Sequence, residues 1–298
     1  MSTPTRSGYA LAFAAFGMWG FFPLFFPLLE PATPLEIVAH RVVWSLLVCL
    51  VLVALGRGWA ELASVLRSRR SVLLLALAAV LLAANWLTFV FAVLAGHTVD
   101  SSLGYYINPL VTVALAVLVL HERLRPLQWA ALGLGAAAVV VITLGYGTVP
   151  WVALVLAGSF GLYGLMKNRV GRTVGAASGM AVETLLLTPL AAGYLLVLGG
   201  GTFGRHGAGH AVLLALTGLA TTLPLLAFAG ATRRLPLSVV GLVQYLTPTL
   251  QLLVAVLVFR EPMPAARWWG FALVWCALTL LAVDSFRTLQ RTRLESRG

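Results

Sequence analysis

A segment of this chain occurs twice, and the second copy begins 139 positions after the first. Residues 103–129 align without a gap with residues 242–268, and both copies are strongly apolar. The identical residues in the two copies include Tyr106 with Tyr245, Pro109 with Pro248, Glu122 with Glu261 and Trp129 with Trp268. An internal duplication of this kind restricts the fold to one that is built from two similar halves.

The composition places both halves in a lipid bilayer. Of the 298 residues, 60% are hydrophobic and 10% are charged, with a mean hydropathy of +0.97, whereas a soluble domain has about 25% charged residues. The net charge of +11 does not indicate a nucleic-acid partner, because the basic residues lie between apolar runs and form no basic face. Cys49 and Cys276 belong to no metal or disulfide motif, so neither a metal nor a cofactor is expected.

Apolar runs of about 20 residues, the length of a helix that crosses a bilayer, are separated by charges and by Pro and Gly clusters. They predict an all-α integral membrane protein with ten transmembrane helices, at 8–28, 35–55, 72–94, 101–120, 127–145, 150–166, 175–198, 211–231, 236–259 and 266–283. The Gly-rich connection from Gly199 to His210 is expected to be mobile.

The distribution of Lys and Arg predicts the orientation of these helices. With the N-terminus inside, 16 basic residues lie on the cytoplasmic side and 3 lie outside, which favours two cytoplasmic termini. Each half has five helices, an odd number, so the second half enters the membrane inverted relative to the first. We therefore expect a first repeat at 8–145, an inverted second repeat at 150–283 and a basic cytoplasmic tail at 284–298.

Polar side chains inside apolar spans indicate a cavity or a polar partner, because contact between a polar group and lipid is costly. Helices four and nine each carry a polar stripe along one helix face, and the duplication superimposes the two stripes. The first stripe is Tyr105, Asn108 and Thr112, and the second is Gln244, Thr247 and Gln251. We predict that they face each other across a central solute-binding cavity; hydrogen bonding between packed helices is the alternative.

Ionisable residues occur within helices two and seven. His40 and Arg41 lie in helix two, and Glu183 lies in the otherwise apolar helix seven, its counterpart in the second half. Glu183 is interpreted either as a proton-coupling carboxyl group or as the counter-ion of His40 and Arg41 across the two repeats, with a purely structural ion pair as the alternative.

The positions of four other polar or aromatic residues also indicate possible roles. Asn85 and Trp86 in helix three offer an amide beside an aromatic ring and are candidate cavity residues, although Trp86 could equally face lipid. Glu122 and Glu261 end helices four and nine, where a helix-end role is favoured over gating.

Several strings in this order resemble the RarD proteins, a branch of the EamA-domain transporters in the drug/metabolite transporter superfamily. They are Trp19-Gly20, the run 39–45 (AHRVVWS), Asn85-Trp86, the run 102–110 (SLGYYINPL), Glu122-Arg123 and the run 244–249 (QYLTPT). The resemblance extends from about Gly8 to Asp284. It implies ten helices in two inverted repeats in the bacterial inner membrane, around a central cavity. Members of the superfamily export amino acids, metabolites or drugs, and the RarD name is associated with chloramphenicol.

The function that these patterns predict is secondary-active export of small metabolites or drug-like solutes by alternating access. The chain contains no phosphate-binding loop, because its single lysine, Lys167, is followed by Asn168, so a primary pump is disfavoured. The alternatives are a channel and an intramembrane enzyme that acts on a lipid-like substrate. No paired acids or nucleophile motif supports an enzyme. The expected partners are the bilayer and a small solute, with protons as a candidate coupling ion.

Overall fold

The computed structural model describes residues 6–120, 124–170, 174–232, 234–235, 239–240 and 243–295, and nearly all of these residues are helical. Twelve α-helices are numbered here in chain order. They are α1 Arg6–Gly20, α2 Phe22–Phe25, α3 Pro34–Leu55, α4 Trp59–Arg67, α5 Arg69–Leu94, α6 Thr98–Leu120, α7 Pro126–Tyr146, α8 Trp151–Val170, α9 Ala176–Val197, α10 Gly207–Thr232, α11 Leu246–Leu253 and α12 Ala265–Glu295. A 3-10 helix, Phe26–Leu29, follows α2, and a π-helix, Val254–Val258, follows α11.

Six segments are long and apolar enough to cross a membrane: Pro34–Leu55, Arg69–Leu94, Pro126–Gly145, Ala176–Val197, Gly207–Thr232 and Ala265–Asp284. The bent pair Arg6–Gly20 and Phe22–Leu29 would make a seventh span. Large apolar side chains remain exposed on these helices, among them Leu144 and Val197, as expected where a helix faces lipid. The chain is therefore a multi-pass helical membrane protein.

Local sequence signals set several of the helix ends. The hydroxyl of Thr33 accepts a hydrogen bond from the backbone N–H of Glu36, and Pro34 occupies the first turn of α3, where its missing N–H costs nothing. At the other end of a span, Gly147 terminates α7 in the left-handed conformation, with φ 74°. These signals explain why the predicted bounds of the second and fifth spans lie close to the observed ones.

The first span is bent, and its single-helix prediction, 8–28, needs correction. The helix breaks at Phe21, and the parts before and after the break meet at 47°. Pro23 and Pro27 lie in the first turns of the two short helices that follow, and a proline cannot donate the backbone hydrogen bond that would continue the preceding helix. The 3-10 helix leads into the connection before α3.

The connections also differ from the sequence prediction. A short helix, α4, lies between α3 and α5. The Gly-rich connection, for which mobility was predicted, contacts α3 through Thr202, because the Glu36 carboxylate accepts hydrogen bonds from the backbone N–H and the hydroxyl of Thr202, at 2.6 and 2.7 Å. Phe203 stacks on His40, with 5.2 Å between ring centroids. Gly201 has φ +60° there, and a Cβ at this position would collide with Glu36.

Helix packing divides the molecule into a few tight pairs. α7 packs along α12, α3 along α9, and α6 along α8. α5 also packs on α8, and α1 packs on α10. Glu261 connects two of these groups, because its carboxylate accepts hydrogen bonds from the backbone N–H groups of Thr98 and Val99, at 2.7 and 2.8 Å. Glu261 thus caps the N-terminus of α6; Glu122 lies outside the described residues.

Candidate functional site

A central cavity with a volume of about 510 Å³ lies between the helices of the two sequence repeats. Its wall is formed by side chains from α1, α3, α5, α6, α8, α9, α10 and α11 and from the short helix α2. Most of the wall is aromatic or aliphatic, with a small number of polar groups, and its volume falls in the range typical of sites for small organic molecules.

The structure brings most of the predicted site residues to this cavity. Those that line it are Arg41, Asn85, Trp86, Tyr105, Gln244, Thr247 and Gln251. Those that do not line it are His40, Asn108, Thr112 and Glu183. The cavity is therefore less symmetric than the duplicated sequence predicts.

All three residues of the second stripe line the cavity, and two of them also hold α1. The Thr247 hydroxyl donates a hydrogen bond to the Phe16 carbonyl at 2.8 Å, and the Gln251 amide donates to the Trp19 carbonyl at 3.3 Å. The Gln251 Oε1 atom is buried without a hydrogen-bond partner. The sequence left two alternatives for these polar residues, a cavity or hydrogen bonds between helices. The second stripe does both.

On the first stripe only Tyr105 lines the cavity. Its hydroxyl donates to the Asn85 Oδ1 atom at 3.2 Å, and the Asn85 amide donates to the Leu156 carbonyl and the Ser159 hydroxyl, both at 3.1 Å. This network anchors the cavity face of α5 to α8. It fixes the position of the Tyr105 ring, because a buried hydroxyl with a partner has little freedom to reorient.

Asn108 and Thr112 do not face the second stripe, contrary to the prediction. The Asn108 side chain is buried beside α8, 3.6 Å from where a Cβ at Gly161 would stand. The Thr112 hydroxyl donates to the Asn108 carbonyl of its own helix at 3.0 Å. The reason is the close approach of α6 and α8, which Gly104 allows because a Cβ there would lie 2.8 Å from the Ala153 carbonyl oxygen.

Arg41 is the most deeply buried cation on the cavity wall. Its side chain is 4% exposed, and its Nε donates to the Thr221 hydroxyl at 2.7 Å. The guanidinium carbon lies 4.2 Å from the centroid of the Trp86 ring and 5.4 Å from that of Phe22. The Nη1 atom is buried and has no hydrogen-bond partner. Trp86 therefore faces the cavity rather than lipid.

The partner of Glu183 is Lys167, so its assignment as counter-ion of His40 and Arg41 is wrong. The Lys167 amine lies 2.9 Å from Glu183 Oε1, and the Tyr163 hydroxyl donates to Oε2 at 3.3 Å. Glu183 is fully buried behind these two residues, both of which line the cavity. His40 instead stacks on Phe203, away from the carboxylate.

From the sequence, Lys167 is one of the 16 basic residues expected on the cytoplasmic side. A lysine near a helix end can extend its long alkyl chain in either direction, and here the amine reaches back toward the buried carboxylate. The position of Lys167 and Glu183 on either side of one short connection was the available signal. The aromatic residues Phe89, Phe160 and Phe228 were also missed, because an aromatic ring in an apolar span carries no sign that it faces a cavity rather than lipid.

Comparison with known proteins shows which family of transporters this chain resembles. The EamA-like transporter family matches residues 6–144. Protein RarD of Streptomyces exfoliatus is 50% identical over 97% of this chain and 92% of its own length. The uncharacterized transporter YojE of Bacillus subtilis is 43% identical over 95% and 96%. A relative from Pseudomonas aeruginosa, described as chloramphenicol-sensitive protein RarD, is 36% identical over 95% and 96%.

A solved structure supports the fold independently. A protein of known crystal structure superposes on this chain with a TM-score of 0.62. The two sequences are 19% identical, and the superposition covers 93% of this chain and 97% of the other. The similarity of fold thus extends over nearly the full length of both chains. This chain is a membrane transporter of the drug/metabolite type, and it belongs to the RarD family of EamA-like transporters.

Proposed function

We propose that this protein is a secondary-active exporter of small metabolites or drug-like solutes, which works by alternating access through the central cavity. The observation that carries the proposal is that equivalent positions of the duplicated sequence, Tyr105 and Gln244, both line one cavity of about 510 Å³. Repeats that rock around a shared site near the bilayer midplane are a common design of secondary transporters. The cavity residues Asn85, Trp86, Tyr105, Gln244, Thr247 and Gln251 are proposed to contact the solute.

Helix packing supports ten spans in two inverted repeats, at 8–145 and 150–283, followed by the tail at 284–298. A pseudo-twofold axis between the repeats would exchange span three (α5) with span eight (α10), and span six (α8) with span one (α1). It would therefore map the pair α5 and α8 onto the pair α10 and α1, and both pairs are in contact. The pairs α3 with α9 and α7 with α12 map onto themselves under the same operation, and both are tightly packed. A twofold axis between two repeats produces this pattern of contacts, and an odd number of spans in each repeat would make the repeats inverted.

The charge distribution supports an inner-membrane protein with both termini in the cytoplasm. In that orientation the cavity opens toward the cytoplasm, because Lys167 at that end is 30% exposed whereas Arg41 is 4% exposed. On the opposite side of the membrane, α6 is fixed by the Glu261 cap and by the ion pair of Arg267 with Asp100, 3.2 Å apart. An inward-open cavity is where an exporter would collect its solute.

Cysteine labelling tests this orientation. Cysteines are introduced one at a time at Thr148 and at Gly298, in a background where Cys49 and Cys276 are replaced by Ala and Ser. An impermeant maleimide added to intact cells should label the cysteine at 148 and not the one at 298. The reverse labelling pattern would refute the proposed orientation.

Transport itself is tested in proteoliposomes that contain the purified protein. Uptake and counterflow are measured for radiolabelled amino acids, for aromatic metabolites and for chloramphenicol, which the name of the P. aeruginosa relative mentions. Gly164→Leu should block transport, because Gly164 lines the cavity and a Cβ there would have no other atom within 4 Å, which leaves room for a larger side chain to occupy cavity space. Gly158→Leu is the matched control, since this glycine on the same helix also has open space but does not line the cavity.

The two variants separate an effect on the cavity from an effect on the fold. If both proteins are folded and Gly164→Leu transports as well as Gly158→Leu, the solute does not pass through this cavity. Saturable counterflow distinguishes a transporter from a channel, which would show flux without exchange. Chemical conversion of the solute by the purified protein would indicate an enzyme instead.

A further inference from the structure

We infer that the cavity binds a small organic anion with a planar apolar part, and that Arg41 receives the anionic group. The inference deepens the proposed transport function and rests on it for the assignment of the cavity as a solute site. It follows from three features of the cavity: its charge balance, the surroundings of Arg41 and the rings that line the remaining wall.

The charge balance of the wall is positive. The described residues that line the cavity include two cations, Arg41 and Lys167, and no Asp or Glu. Lys167 is neutralised by Glu183, which approaches it from behind the wall at 2.9 Å. Arg41 takes part in none of the ion pairs between described residues. One positive charge therefore remains on the wall without a counter-charge from the described part of the chain.

The surroundings of Arg41 leave that charge poorly compensated. Three rings, those of Trp86, Phe22 and Phe26, lie 4.2, 5.4 and 6.0 Å from the guanidinium carbon. Such cation–π contacts offset only part of the cost of removing a charge from water. The Thr221 hydroxyl satisfies Nε, but the buried Nη1 has no acceptor. An anionic group that enters the cavity would supply both the missing acceptor and the missing charge.

The remaining wall favours an apolar, planar body on the same solute. Phe89, Tyr105 and Phe160 form a continuous aromatic surface, with centroid distances of 5.7 Å for the first pair and 6.1 Å for the second. Edge-to-face packing of this kind accepts a further ring without loss of contact. A cationic solute would instead meet an uncompensated positive charge and no carboxylate on the wall.

Three probes of nearly equal shape test the inference: 3-phenylpropanoate, its neutral amide and 3-phenylpropylamine. Their binding to the purified protein in detergent is measured by isothermal titration calorimetry. The carboxylate should bind about 10- to 100-fold more tightly than the amide, because a hydrogen bond to a charged group contributes that much. The amine should bind least.

Variants at Arg41 assign the preference to this residue. Arg41→Gln should remove the preference for the carboxylate, and Arg41→Lys, which keeps the charge, should retain part of it. Arg69→Gln is the control, because Arg69 is an exposed residue at the start of α5 and does not line the cavity. The inference is overturned if the wild-type protein binds the amide or the amine as tightly as the carboxylate, if it binds none of the three, or if the preference survives in Arg41→Gln.

The outcome is separable from that of the transport assay. Suppose that neutral solutes are transported, that Gly164→Leu blocks their transport, and that 3-phenylpropanoate does not compete with them. The anion inference then fails, while the transport function stands. If 3-phenylpropanoate binds with the stated dependence on Arg41 but no solute crosses the proteoliposome membrane, the anion site stands and the transport function fails.

Discussion

Arg41 and Lys167 are two cations on the wall of one cavity, and the protein accommodates them in opposite ways. Lys167 is 30% exposed and has a carboxylate partner, Glu183, at 2.9 Å. Arg41 is 4% exposed and has a hydroxyl and aromatic rings around it, but no carboxylate among the described residues. The more deeply buried charge is thus the less compensated one. Since desolvation makes an unpaired buried charge costly, its retention is better explained by a ligand than by stability.

Because Lys167 compensates a buried carboxylate and Arg41 does not, we expect the largest effect on stability from the loss of Lys167. Lys167→Met leaves the fully buried Glu183 carboxylate with only the Tyr163 hydroxyl as a partner. We expect the free energy of unfolding in mixed micelles to fall by about 3 kcal/mol, because an uncompensated charge then remains buried.

The double variant Lys167→Met, Glu183→Gln is the control for this first prediction. It should recover most of the lost stability, since neither charge remains. If the double variant is as unstable as the single one, packing of the lysine chain rather than charge pairing accounts for the loss, and the contrast with Arg41 disappears.

A second, smaller effect is expected on energy coupling. We propose that Glu183 is the proton-coupling group, and Glu183→Gln keeps its shape while it removes its titration. Proton-driven transport should fall about tenfold, whereas counterflow exchange, which needs no net proton movement, should continue. The released Lys167 amine is near water, so the protein should remain folded. Wild-type rates in both assays would make Glu183 purely structural.

The contrast between these cations also shows how far the sequence predicts the site. Hydropathy predicted the helical membrane fold, because each span must satisfy its own backbone hydrogen bonds. The positions of Asn85, Thr247 and Gln251 at the cavity followed from the cost of polar groups in lipid, whereas Arg41 was predicted only as part of an ion pair. These predictions depend on local sequence and on the solvent around each helix.

The predictions that failed depend on packing between helices. Asn108 and Thr247 occupy equivalent positions of the duplication, yet only Thr247 lines the cavity. The glycines on α6 and α8 allow those helices to approach closely and enclose Asn108, and no such spacing can be read from the periodicity of one helix. The pairing of Glu183 with Lys167 likewise depends on the direction in which a flexible side chain extends.

The smallest expected effect on stability is that of Arg41→Met, and it tests the comparison most directly. The substitution removes a buried charge that has no carboxylate partner and leaves Thr221, whose hydroxyl already donates to the Thr217 carbonyl at 2.9 Å. Methionine fills a similar volume and packs well against the rings of Trp86 and Phe22. The free energy of unfolding should therefore stay within about 1 kcal/mol of the wild-type value or rise above it, because replacement of a buried charge by an apolar side chain of similar volume is often neutral or stabilising. A loss close to that of Lys167→Met would mean that Arg41 is compensated within the protein after all, and the need for an anionic solute would then disappear.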